Sequence, residues 1–414
     1  MARALSVEPV AATTAAELSI VMLAGDGRGD PPSAMALREA CARLGVSHQV
    51  IVAGAARPIP DSDVGIARAA APGYGAALAA GLAAATGQWV LTLDASEAAG
   101  APAIVQALWR QRQEAEVLVA ARHGRGAWWC APARLLESFC RRALSLSVRD
   151  LSSHVRMYRR DVVASLTLAS RGVEALAEIL IRVEAEGWRI REVAVTGRAG
   201  GSVRLGLACL ASLLRLWRLR NSVGAADYDH RAWDSPIWLQ RYWQRARHRI
   251  VLEAVGERAP VLDVGCGSSR IIADLPRAIG LDIRQNTLRW LGRRHSRLVR
   301  ATGARLPFAD ASLEAVIHSQ VIEHLPDDPA ILAECHRVLR PGGVLVLGTP
   351  DYARPLWWGL EWVHSRLMPG GHTREHVTRF TRRSLTDRLT CAGFEILACR
   401  YVGGCEMIFT ARRL

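Results

Sequence analysis

Not one lysine occurs among the 414 residues, so all 53 basic side chains are arginine. With alanine so abundant, this reads as the coding bias of a GC-rich genome, which weakens the meaning of any single arginine. The formal charge of +14 still favours anionic neighbours: acidic lipid, phosphorylated substrates or nucleic acid. No two of the nine cysteines stand at CxxC spacing. That argues against a zinc site or a disulfide framework and points to a reducing cytosol. No apolar run approaches the ~20 residues that span a bilayer. The longest, Leu205 to Leu214, is broken by small residues. Met1 to Glu17 lacks a continuous apolar core and reads as a flexible N-terminus without a signal peptide. The dinucleotide fingerprint GxGxxG is missing too, so no pyrophosphate cradle is indicated.

What is present fits two domains, since 414 residues exceed one ordinary core and half of them are hydrophobic. The later half is organised around Val261 to Ser269. Its first four residues read as a short buried strand, and Gly265 and Gly267 then allow a tight turn and close approach of a ligand. A helical pattern follows at Ile271 to Leu275, with free N–H groups at its start. About 20 residues on, a second short strand ends in Asp282, where a carboxylate can accept both hydroxyls of a ribose. An adenosine ligand without phosphates fits this pair.

The segment from about Val261 to Phe394 resembles the class I S-adenosylmethionine-dependent methyltransferases. The resemblance rests on Asp263-Val264-Gly265-Cys266-Gly267, Gly280-Leu281-Asp282, Leu306-Pro307-Phe308, Val321-Ile322-Glu323-His324-Leu325 and Arg337 to Gly343. It implies a Rossmann-like seven-stranded domain over 232–414 with S-adenosyl-L-methionine as cofactor. Donor contacts are expected at Asp263, Gly265, Cys266, Gly267, Asp282, Thr302, Gly303 and Ser319. The family often places an acid before Leu-Pro-Phe to meet the adenine amino group. Here that loop is Ala301 to Ala304, which leaves a hydroxyl or backbone for the task.

The earlier half alternates strands and helices: Leu18 to Leu23, Ser33 to Leu44, Gln49 to Ala53, a Gly-led helix from Gly73, and Trp89 to Asp94. Such alternation argues a mainly parallel sheet. Gly73 to Leu78, Leu91 to Asp94, Val148 to Ser153 with Arg156 to Arg160, and Gly200-Gly201-Ser202 resemble family-2 glycosyltransferases of the dolichol-phosphate mannose synthase type. That resemblance implies a nucleotide-sugar-transferase-like domain over 18–222. Its chemistry is degraded. The metal-holding Asp-x-Asp is reduced to Asp94-Ala95-Ser96, followed by Glu97, and no acid follows the second strand. A domain repurposed to bind acceptor or membrane is expected. Mg2+ or Mn2+ at Asp94 applies only if it is active, which would make the protein bifunctional.

Between the halves, Leu207 to Arg220 mixes an apolar face with Arg215, Arg218 and Arg220, suiting either a packed helix or an interfacial helix on an anionic membrane. Residues 223–231 read as a polar linker and Ala232 to Gly256 as one long helix. Leu356 to Trp362 carries three tryptophans after the fifth methyltransferase strand, suited to an apolar or carbohydrate acceptor. Methyl transfer is an in-line displacement in which alignment dominates. An oxygen acceptor benefits from a base: His324 with Glu323 is expected, with His372 and His376 behind. The expected acceptor is a small molecule, saccharide or lipid-linked molecule, and the expected location is cytoplasmic or peripheral at the inner membrane face. Nucleic acid is disfavoured, because Gly348 to Asp351 replaces the motif that grips a flipped base. The competing reading is a non-catalytic scaffold, which the intact Asp263 and Asp282 disfavour.

Overall fold

The computed structural model describes residues 16–24, 31–54, 64–69, 71–123, 131–196, 202–275, 277–367 and 376–414. The expectations for most of the N-terminal segment, for Gly200-Gly201 and for His372 lie outside the described residues. The chain divides into two compact units, residues 1–184 with 188–220, and 185–187 with 221–414.

The first unit holds β1 (Leu18–Leu23), β2 (His48–Ala53), β3 (Val64–Ala67), β4 (Trp89–Asp94), β5 (Val117–His123), β6 (Arg156–Arg159) and β7 (Ile190–Thr196). They form one mixed sheet in the order β3-β2-β1-β4-β6-β5-β7, with β6 antiparallel to both neighbours. Along β1, Leu18, Ile20 and Met22 join one core, while Val21 and Leu23 join the other. Both faces are covered, which is why the strand reads as an unbroken apolar run. Asp94 pairs in register with Leu23 at the carboxyl ends of β4 and β1. The strand order reverses between those two strands, the position where open α/β sheets bind ligands.

The stretch ending at Arg220 forms two helices, Val203–Ala211 and Leu213–Arg220, broken at Ser212. Two of its three arginines are ion-paired within the unit. Arg220 is buried and pairs with Glu184 at 2.9 Å. Arg215 reaches the buried Glu178 at 3.4 Å and donates to Ser170 Oγ at 2.7 Å. Of the three arginines, Arg215 and Arg220 thus pair with the unit's own carboxylates, while Arg218 is exposed. What does face outward is apolar. Leu207 and Leu214 are exposed here, as are Leu135 and Phe139 on the helix Ala131–Ala143. Those two layers approach closely at Gly206, where a Cβ would lie 2.6 Å from Leu136 Cδ2.

The second unit holds β8 (Val261–Val264), β9 (Ala278–Asp282), β10 (Leu298–Arg300), β11 (Leu313–Ser319), β12 (Leu339–Pro350), β13 (Phe394–Val402) and β14 (Glu406–Arg413). The order is β10-β9-β8-β11-β12-β14-β13; six strands run in one direction and β14 is antiparallel to both its neighbours. Val316 faces one core, and Ala315 and Ile317 the other. The helix read as 232–256 starts only at Trp238. Pro236 disfavours helical backbone at Ser235 and splits the pattern. The stretch read as a linker contains the start of a short helix, Tyr228–Trp233, which belongs to this unit. The late helix Arg382–Cys391 is closed by a Thr381–Ser384 capping box. Among the described residues, no helix is long and apolar enough to cross a membrane.

Candidate active site

The strand order of the second sheet reverses between β8 and β11, which opens a crevice at their carboxyl ends. The glycine loop leaves β8 there with Gly265 at φ +66° and Gly267 at φ +53°. A Cβ on Gly265 would lie 2.4 Å from Val321 Cγ2, and one on Gly267 would lie 2.6 Å from Asp229 Oδ2. The left-handed backbone strains any other residue at both positions, and the Val321 contact closes Gly265 to a Cβ. The loop is held from outside. The Gly265 and Cys266 N–H groups both donate to the Leu281 carbonyl, at 2.7 and 3.0 Å. Gly267 N–H donates to Asp282 Oδ2 at 3.1 Å, and Ser268 N–H donates to Asp229 Oδ2 at 3.3 Å. Asp282 Oδ1 also accepts from Arg284 N–H at 2.8 Å. Each Asp282 oxygen keeps a lone pair, so the carboxylate can fasten the loop and still accept hydroxyls.

Behind the loop, Asp263 is buried and its Oδ2 has no hydrogen-bond partner. Burial pushes its carboxyl up to about 8, reinforced by the charges of Asp282 and Asp229. Cys266 is buried as well, and its thiol is pushed well above the usual range. At the end of β11, His318 is buried with both ring nitrogens unpartnered, and desolvation lowers it to about 4. A Cβ on Gly303 would lie 3.2 Å from Val264 Cγ1 and 3.8 Å from His318 Nε2, so Gly303 borders the same space. Ser319 Oγ is unpartnered, and Gln320 takes a left-handed φ of +59°. Buried polar atoms without a protein partner, on the two strands that flank the switch point, suit a polar ligand. Thr302 stands apart. It is exposed, and its hydroxyl accepts from Ala304 N–H at 3.3 Å.

Glu323 follows β11 in a short turn and is fully buried. Its Oε2 accepts from the Thr349 hydroxyl at 3.0 Å, while Oε1 has no partner. Burial is the main reason its carboxyl rises to about 8, and nearby Glu406 adds to this. Glu406 is itself gripped by Arg247 at 2.7 and 2.8 Å and by the Trp243 indole N–H. The His324 and His376 rings lie 4.9 Å apart. Tyr352 Oη is 2.6 Å from His376 Nδ1 and donates to Glu361 Oε1 at 3.1 Å. The indole N–H of Trp358 donates to the Tyr352 carbonyl at 3.1 Å.

A methyltransferase-domain family matches residues 262–347, the span from the glycine strand through Glu323 to β12. The chain is 38% identical over 169 residues to a probable S-adenosylmethionine-dependent methyltransferase of Mycolicibacterium smegmatis, covering 38% of this chain and 61% of that protein. A probable S-adenosylmethionine-dependent methyltransferase of Mycobacterium tuberculosis is 36% identical over 122 residues, covering 27% of this chain and 44% of that one. An uncharacterized methyltransferase of a Mycobacterium species is 32% identical over 182 residues, which cover 42% of this chain and 70% of the relative. This chain belongs to the methyltransferase family. It spans about three fifths of the first of these relatives and less than half of the second.

The matched residues lie in the second unit, which is the methyltransferase domain. β8 and β9 bring Asp263, the glycine loop and Asp282 together, Gly303 borders Val264 and His318, Ser319 ends the neighbouring β11, and Thr302 is exposed on the loop before Gly303. The sequence reading missed Asp229, His318 and Arg284. Asp229 lies in a stretch with no strand pattern, and His318 looks like any other strand position.

In the first unit, Asp94 and Glu97 stand near Asp150, with Arg122 among them. Arg122 pairs with Asp150 at 3.1 Å and with Glu97 at 3.6 Å. The Tyr74 hydroxyl lies 2.6 Å from His154 Nδ1. Burial lowers His154 to about 4, so it is neutral.

Proposed function

We propose that this methyltransferase transfers a methyl group from S-adenosylmethionine to a hydroxyl of a saccharide, lipid-linked molecule or other small acceptor. The observation that carries the proposal is the glycine loop fastened to Asp282, with the orphaned Asp263 carboxyl behind it. When bound, the donor supplies an electrophilic methyl group on a sulfonium centre. Asp282 suits the ribose hydroxyls, Asp263 suits the cationic amino-acid end, and His318 with the Gly303 backbone suits the base. The acceptor belongs at the neighbouring edge, beside Glu323 and His324. Glu323 Oε1 has no partner, and a carboxyl at about 8 can take up a hydroxyl proton near neutral pH. Trp358 and Trp362 are exposed on the helix Pro355–Leu367 and offer an aromatic surface to an apolar or sugar acceptor.

The first unit is proposed as an acceptor- or membrane-binding domain of glycosyltransferase-like ancestry. Arg122 supports this, because a guanidinium among Glu97 and Asp150 neutralises the charge that a divalent cation would need. The exposed Leu135, Phe139, Leu207 and Leu214, with the exposed Arg134, Arg204 and Arg218 near them, suit the surface of an anionic bilayer. The test is incorporation of labelled methyl from S-adenosylmethionine into separate panels of glycans, glycolipids and duplex nucleic acid. Label in a glycan or glycolipid that disappears with Glu323→Gln supports the proposal. Label in nucleic acid alone contradicts it.

A further inference from the structure

We propose that Glu323, His324 and His376 bind a divalent transition-metal ion beside the donor crevice. One ligand atom from each lies within 4.8 Å of those from the other two. Around an ion bonded at about 2 Å, ligand atoms stand roughly 3–4 Å apart, so side-chain movements of about 1 Å complete the site. Three separate features make this a built site rather than a chance meeting of side chains.

The first is Glu323. It is 0% exposed, one oxygen is held by Thr349, and the other has no partner. A buried polar oxygen without a partner is costly, and a cation taking the place of the carboxyl proton would meet it. The second is the support behind His376. Its Nδ1 is 2.6 Å from Tyr352 Oη and 3.4 Å from Glu361 Oε1, and Tyr352 in turn donates to Glu361. A ring that donates Nδ1–H into such a chain is fixed in orientation and tautomer, the outer-shell arrangement of histidine ligands. The third is the orientation of the ring. Trp357 stacks on it at 6.4 Å with an interplanar angle of 23°.

Two imidazoles with one carboxylate suit zinc, manganese or ferrous iron better than magnesium or calcium, which take mainly oxygen ligands. Three protein ligands also leave coordination positions open, as catalytic sites do. The role of the ion rests on the methyl-transfer reading above. An acceptor hydroxyl bound at an open position loses its proton to water more readily. Its oxygen then forms the bond to the methyl carbon as the carbon–sulfur bond breaks, with the electron pair staying on sulfur. In that state Glu323 serves the ion and not the proton.

The test uses the full chain, stripped with chelator and dialysed against Zn2+, with metal content measured by emission spectrometry. Co2+ replacement adds a readout independent of catalysis, because its visible absorption reports nitrogen ligation. We expect one ion per chain. We also expect at least tenfold weaker retention in His376→Ala and Glu323→Gln, with a changed Co2+ spectrum in His324→Asn. The melting transition of each variant verifies the fold, and the milder His376→Gln stands in for any that fails. Stoichiometric metal that persists in folded Glu323→Gln and His376→Gln overturns the site, as does absence of binding by the native chain. Donor titration separates the two readings: donor binding without metal binding defeats only the metal site, and metal without donor defeats the reading beneath it.

Discussion

Asp282 accepts a hydrogen bond from the Gly267 N–H across 3.1 Å, tying the end of β9 to the loop that leaves β8. Asp229 does the same for Ser268 from a helix that precedes the whole sheet. The glycine loop is thereby fixed before any ligand arrives. Binding then need not supply the ordering that a free loop would lose.

Gly265→Ala is the sharpest test of that loop. The new Cβ would lie 2.4 Å from Val321 Cγ2 at a φ of +66°. Left-handed backbone alone costs about 1–2 kcal/mol, and the β-branched valine has little room to yield. We expect a lower melting temperature and at least tenfold weaker donor binding by calorimetry. Gly404→Ala is the control, because Gly404 has a φ of +72° and open space around it. It should lose stability through strain alone and keep its donor affinity.

Asp263 predicts a pH dependence. Its folded-state pKa is raised to about 8, far above that of an exposed carboxyl. The folded chain therefore holds this proton when the unfolded chain has released it, and stability falls as pH rises from about 4 to about 8. Asp263→Asn removes the titration. Thermal melts across that range should show the variant gaining on the native chain as pH rises. Parallel melting curves at every pH would show that Asp263 does not hold its proton.

The apolar face of the first unit makes a separate prediction. Phe139 is 52% exposed and Leu207 55% exposed. Phe139→Asp with Leu207→Asp should abolish co-sedimentation with anionic vesicles, and high salt should weaken the native interaction. Equal indifference to neutral and anionic vesicles at low salt would remove the membrane role.

The donor crevice was legible in the sequence because its signals are local. A tight turn needs glycine within a few residues of its strand, and Asp282 ends a strand short enough to recognise. The sheet positions of β8, β9, β11 and β12 followed for the same reason. Asp229 escaped because its role depends on a partner 39 residues away. Arg247 escaped likewise, since Glu406 is 159 residues distant and no periodicity announces the pair. The pairing of Arg215 and Arg220 was not legible, because Glu178 and Glu184 sit on a helix, Ala175–Ala185, whose approach no sequence pattern shows. Pro236 and Ser212 marked helix breaks that the apolar pattern ran across.

The most direct test of the account is calorimetric titration of S-adenosylmethionine into the full chain and into Asp282→Ala. Each hydrogen bond to the carboxylate is worth about 1.5–3 kcal/mol, and 1.4 kcal/mol is about tenfold in affinity. The native chain should bind one donor per chain, and the folded variant should bind at least tenfold more weakly. Absence of saturable binding by the native chain, or an unchanged Kd in a folded Asp282→Ala, would contradict the central claim.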